Sequence, residues 1–200
     1  MNIQFTPSQL KVLLFSLTYT LGFGAYYVTT ANYEFLWYVA ILVFFLVLLL
    51  TTIHKTHFSP LILWGLSIWG LLHMAGGSIP VGDGVLYGVQ LIDIIQNGEY
   101  TILRYDQFVH AFGFGVATLV AHSLLAPRWK EGSSKALLYA LAAGVGMGLG
   151  TINEIVEFIA VVVFPETGVG GYVNTALDLV ANMIGAIIAA LFLSWRDKQR

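Results

Sequence analysis

Asp106 and His110 stand four residues apart in the stretch Tyr105-Asp106-Gln107-Phe108-Val109-His110, at the head of an apolar run that continues to about Leu125. On a helix the two share a face, about 6 Å apart along the axis. A carboxylate and an imidazole so placed can bind a cation together or pass a proton. At the start of a membrane-spanning helix they are costly unless partnered. Other polar residues interrupt apolar runs elsewhere: His73, the pair Glu154 and Glu157, and the pair Asp178 and Asn182. The spacings D-x3-H and E-x2-E each put two ligands on one helix face, as in four-helix metal sites. Carboxylates with imidazoles suit Mn, Fe or Zn, and carboxylates alone suit Mg or Ca. The E-x-x-H hallmark of di-iron bundles is missing.

Three readings of these residues compete. In the first they form a hydrogen-bond network between helices, each buried polar group satisfying another. Against it stand the charges: Asp106, Glu154, Glu157 and Asp178 together would repel, and some would have to stay protonated. The second reading, a divalent cation or acid-base site, removes that difficulty. The third is a proton or ion pathway, since carboxylates inside membranes also mark transport; no comparable acids line the opposite half of the runs. A nucleophilic triad and a phosphate loop are not indicated, because neither G-x-S-x-G nor G-K-[ST] occurs.

The elements that must position these residues are membrane spans. Hydrophobic residues make up 58% of the 200 and charged ones only 10%, with a mean hydropathy of +0.79. Soluble domains carry roughly 25% charged residues, so this chain cannot cover its surface for water and its solvent must be lipid. The net charge of −2, with no block of basic residues, gives no sign of a nucleic-acid partner, and the absence of cysteine excludes disulfides and thiolate metal sites. No basic charge precedes the first apolar run and no small-residue cleavage site follows it, so it reads as a retained helix.

Six spans are expected in one polytopic domain, residues 1–200, at about residues 10–28, 35–53, 61–75, 106–126, 136–164 and 176–195. Thr6-Pro7 is a helix-start signal, the second span is aliphatic enough to face lipid, Gly76-Gly77 should end the third, and Pro165 should stop the fifth. Glycines 144, 146, 148 and 150 in the fifth span, and Gly185 with Ala189 in the sixth, read as close-packing faces. The segment of about 85–95 is apolar but too short to cross. It is expected to be a short interfacial helix lying over the polar residues, ended by an Asn97-Gly98 turn.

With the N-terminus inside, the inner segments hold Lys11, Lys55, Arg128, Lys130, Lys135, Arg196, Lys198 and Arg200, and the outer ones only Arg104. That positive-inside bias predicts cytoplasmic termini. His73, Asp106, His110, Glu154, Glu157, Asp178 and Asn182 then all fall at the outer end of the bilayer, on four helices. His122 lies about 18 Å deeper than His110 and is left aside.

Leu72-His73-Met74-Ala75-Gly76-Gly77, Leu86-Tyr87, Tyr105 to His110, Asn153-Glu154-Ile155-Val156-Glu157 and Asp178-Leu179-Val180-Ala181-Asn182-Met183-Ile184-Gly185 resemble the YjdF-like family of bacterial inner-membrane proteins. More distantly, an Asp with a following His, a Glu span and D-x3-N-x2-G resemble the VanZ-like family, linked to glycopeptide-antibiotic resistance; Glu157 stands where that pattern has glutamine. These resemblances imply a multi-pass protein of the plasma (inner) membrane.

The expectation is therefore an all-α integral membrane protein with an outward-facing polar site, reached by a groove. Asp106, His110, Glu154, Glu157 and Asp178 would hold or surround a divalent metal ion and, with His73 as ligand or proton carrier, form the catalytic set, with Asn182 as a supporting donor. The partners would be membrane lipid and a lipid-like or envelope small molecule. The alternative is a non-catalytic envelope membrane protein or a small proton- or ion-coupled transporter.

Overall fold

The computed structural model describes residues 5–97, 100–163 and 171–199. Six long helices carry the fold: α1 (Pro7–Thr29), α2 (Tyr33–Thr56), α3 (Pro60–Ser78), α4 (Tyr105–Leu125), α5 (Lys135–Val163) and α6 (Tyr172–Lys198). All six are long and apolar enough to cross a membrane. The expected Pro165 stop and Gly98 lie outside the described residues. α1 starts where Thr6-Pro7 indicates: the Gln9 N–H donates to Thr6 Oγ1 at 3.2 Å and the Thr6 N–H to Gln9 Oε1 at 2.9 Å, a reciprocal cap that satisfies two otherwise orphaned donors. The exposed Val43, Phe44, Phe45, Val47 and Leu48 of α2 suit a lipid-facing helix.

The central trio is α4, α5 and α6, with α3 against the other side of α4 and α1 and α2 beyond it. Small residues make the trio tight. A Cβ on Gly185 would fall on the Ala111 carbonyl, and one on Gly115 would come within 3.1 Å of the Gly185 carbonyl, so α4 and α6 approach backbone to backbone. On α5 the close-packing reading holds for Gly146 and Gly150, which meet Thr118 and Asn182, whereas Gly144 and Gly148 face open space. α5 is continuous across its glycines. At the far end from the polar residues, Asp197 accepts from the Tyr139 hydroxyl at 2.8 Å and pairs with Lys135 at 3.4 Å, tying α5 to α6.

Two expectations about the long connection are corrected. α3 does not end at Gly76-Gly77 but runs through them to Ser78; their missing side chains make room for the rings of Tyr87 and Phe35. The segment of about 85–95 is not a helix. β1 (Pro80–Val81) pairs with β2 (Gly84–Val85), a 3-10 turn covers Leu86–Gly88, and β3 (Gln90–Asn97) pairs antiparallel with β4 (Tyr100–Arg104). Isoleucines 92, 94 and 95 favour a strand, and β4 supplies a partner in register from Asn97 opposite Tyr100, with an irregularity between Gln90 and Ile95. Leu91, Ile92 and Ile94 remain exposed, so the segment keeps an interfacial composition in strand form.

This hairpin is stitched to the bundle. Gln107 Oε1 accepts the N–H groups of Leu103 at 3.1 Å and Arg104 at 3.2 Å, and its amide donates to the Thr101 carbonyl at 3.3 Å. The Tyr105 N–H donates to the Val89 carbonyl at 2.8 Å. Leu103, at the junction of β4 and α4, has φ +71°, a conformation that side-chain-bearing residues rarely adopt. Beneath the connection, Tyr27, Phe35, Tyr38, Met74, Tyr87 and Tyr105 form a largely aromatic core.

Candidate metal centre

Helix direction brings the polar residues to one end. His110 lies in the second turn of α4, Glu154 and Glu157 near the end of α5, and Asp178 and Asn182 near the start of α6. Because α5 runs opposite to α4 and α6, these positions coincide in depth. His110, Glu154, Glu157 and Asp178 each offer a ligand atom, and the four atoms lie within 4.8 Å of one another. A cation at the middle of such a set would sit at about the 2.0–2.6 Å typical of N and O ligands after small side-chain adjustments. The cluster could therefore hold a metal ion.

His110 is the hub. Its Nδ1 is 3.1 Å from Asn182 Oδ1 and 3.3 Å from Glu154 Oε1; its Nε2 is 3.6 Å from Asp106 Oδ1 and 3.7 Å from Glu157 Oε1. With Nδ1 protonated and donating to Asn182, the Nε2 lone pair faces the carboxylates, the arrangement by which an outer amide fixes the tautomer of a metal-binding histidine. Asn182 owes its place to Gly150, whose absent Cβ would come within 2.7 Å of the Asn182 amide nitrogen.

The site is enclosed. His110, Glu154, Glu157, Asp178 and Asn182 are each 6% exposed or less, so the ligand atoms themselves lie beneath the surface. Both carboxylate oxygens of Asp178 are buried without a hydrogen-bond partner among the described residues, and those of Glu154 are buried with the Asn182 and Asn153 amides as the nearby donors. His110 is near Glu154 but out of hydrogen-bond geometry. Buried carboxylate oxygens without donors are expensive, and a cation is one group that would satisfy them.

Two expected residues, Asp106 and His73, are not among the four converging ligands. Asp106 is the most exposed member, its side chain 15% accessible, and its Oδ2 accepts from the Asn174 amide at 3.0 Å. The Tyr87 hydroxyl donates to the His73 carbonyl at 2.8 Å and lies 2.5 Å from His73 Nδ1, from which it then accepts, and the His73 ring meets Tyr38 edge-on at 5.3 Å. Burial, and then the nearby charges of Asp106 and Glu157, push the Tyr87 hydroxyl well above its ordinary pKa, so it stays protonated and serves as a donor.

Sequence reasoning did not select Asn174, Tyr87 or Asn153, whose amide donates to Glu157 Oε1 at 2.8 Å. A signal existed for two of them: Asn174 lies four residues before Asp178, and Asn153 four before Glu157, each on the ligand's own helix face.

A family profile matches residues 10–199, under the description "Predicted membrane protein (DUF2238)". The chain belongs to this family. Among curated proteins and among solved structures, nothing matched. The family's description carries the membrane class over nearly the whole chain, so the chemistry rests on the side chains described above.

Proposed function

We propose that this family member is a multi-pass protein of the plasma (inner) membrane, with both termini cytoplasmic, whose cluster binds a divalent metal ion and uses it on a lipid or envelope precursor. One observation carries the metal assignment: four buried ligand atoms from three helices fall within 4.8 Å, all on side chains that a cation would satisfy. In this reading His110, Glu154, Glu157 and Asp178 hold the ion. Asp106, at the rim 3.6 Å from His110 Nε2, completes the set or exchanges protons with water. Asn182 fixes the imidazole. His73, bonded to Tyr87, carries a proton on the α3 side. The ion would supply Lewis-acid polarisation of a substrate oxygen and a more acidic bound water. The VanZ-like resemblance points likewise to the envelope.

A second reading is favoured by the enclosure of the site: buried carboxylates closed off from water also suit a small proton- or ion-coupled transporter. One experiment separates them. Purified protein is stripped with chelator, reloaded, placed in nanodiscs containing phosphatidic acid and phosphatidylglycerol, and followed by elemental analysis and phosphorus NMR. Bound metal with metal-dependent headgroup turnover supports the enzyme. Bound metal without turnover favours the transporter, and protein that retains no metal sinks the metal centre.

A further inference from the structure

α2 packs on α1 and α3, and α5 packs on α4 and α6, which leaves a seam between α2 and α5. At the hairpin end this seam holds a partly open cavity of about 70 Å³ lined by Trp37, Ile159, Ala160 and Val163. That is about two water volumes, too narrow for a headgroup and wide enough to seat a stretch of hydrocarbon chain. Its lining offers nothing polar except the Trp37 indole, and both flanks expose apolar side chains, with Phe158 and Val162 on α5 and Phe44 and Phe45 on α2. Lipid is therefore the medium that meets it.

The cavity lies beside the cluster. The buried row of α5 runs Gly146, Gly150, Glu154, Glu157, Ala160, so the residue forming the cavity wall follows Glu157 by one helical turn, about 4.5 Å along the axis. Behind Ala160, Tyr38 and Tyr87 pack in the same core and both reach His73. Arg104 stands at the head of α4, its Nε buried with no hydrogen-bond partner among the described residues. A cation held by the four ligands and the Arg104 guanidinium would together favour an anion with several oxygens.

We propose that the seam between α2 and α5 is a lateral entrance for a membrane amphiphile, its hydrocarbon chain seated against Trp37, Ile159, Ala160 and Val163 and its phosphate head turned toward His110, Glu157 and Arg104. The phosphate head rests on the metal reading; the seat for the chain does not. Entry from the side fits a site whose four ligands are all buried.

The test uses the full chain in nanodiscs with phosphatidic acid carrying a photoactivatable diazirine in its acyl chain. Labelled peptides are mapped by mass spectrometry, and metal content is measured on the same samples. Labelling should concentrate on peptides containing Trp37 and residues 159–163. Unlabelled phosphatidic acid should compete it away, and diacylglycerol with the same chains should not. Val163→Trp and Ile159→Trp, which fill the cavity, should each cut that labelling by about tenfold, as expected for losing about two methylene contacts, with metal content unchanged. Val145→Trp, on the lipid face of α5 elsewhere, should leave it unchanged. Even labelling of all six helices, or labelling indifferent to both cavity-filling variants, overturns the entrance. Equal competition by diacylglycerol overturns the phosphate head. Localised labelling of wild-type protein that takes up no metal on reloading would refute the metal centre and leave the entrance standing, whereas bound metal with diffuse labelling does the reverse.

Discussion

Asp178 carries the sharpest prediction at the scale of single residues. Its side chain is fully buried, and neither oxygen has a hydrogen-bond partner among the described residues. Without a cation, burial and then the neighbouring Asp106, Glu154 and Glu157 make a negative charge there costly, and Asn cannot acquire one. Asp178→Asn should therefore stabilise chelator-treated protein, by about 1 kcal/mol, and destabilise metal-loaded protein relative to wild type. Thermal melts of both proteins under both conditions check this, and the same sign in both would contradict it. Asn182→Ala should leave the metal bound but weaken it by about 10–100-fold, the usual effect of losing an outer partner of a ligating histidine, measured by competition with a chelator of known affinity. Metal affinity should also fall as pH is lowered, because imidazole and carboxylates bind metal only when deprotonated. Most of this site was legible in the sequence, since D-x3-H, E-x2-E and D-x3-N place side chains on helix faces by arithmetic alone. His73 was the exception. Its depth matched the others, but rotation about α3 aims it at Tyr87, and nothing in a linear sequence reports that rotation.

The close passage of α4 and α6 controls the cluster at the scale of elements. Gly185 meets the Ala111 carbonyl one residue after His110, so even one methyl group there must push the helices apart. Gly185→Ala should cost about 1–3 kcal/mol and lower metal affinity, by drawing His110 away from Asp178. Gly148→Ala, with open space around it, should cost nothing and serves as the control; melts and metal titration on both variants distinguish a specific approach from a general intolerance of larger residues. The small-residue faces were visible in the sequence, but which glycines touch a neighbour was not, because helical spacing leaves the absolute orientation of a face undetermined. The hairpin departs from the expected helix for a different reason. Its apolar content and short length suggested an interfacial helix, while the isoleucine-rich run and the matching Tyr100–Arg104 segment, on either side of Asn97-Gly98, carried the competing hairpin signal.

The membrane sets the orientation at the scale of the whole molecule. Eight of the nine Lys and Arg residues lie in segments on one side of a six-span arrangement, and Arg104 alone on the other. A tag inserted between Asn97 and Tyr100 should be accessible from outside the cell and one at the C-terminus from the cytoplasm; both on one side would contradict the arrangement. In the proposed orientation the cluster would lie at the outer leaflet, where a lipid or envelope substrate would be met. Everything functional then depends on whether the converging ligands hold an ion. X-ray absorption spectroscopy on the metal-loaded, purified protein addresses this most directly. The account predicts one divalent ion per chain with N and O neighbours at about 2.0–2.6 Å, an imidazole signature that disappears in His110→Ala, and a loss of O neighbours in Asp178→Asn. An ion surrounded only by water oxygens, or a spectrum unchanged by both substitutions, would contradict it.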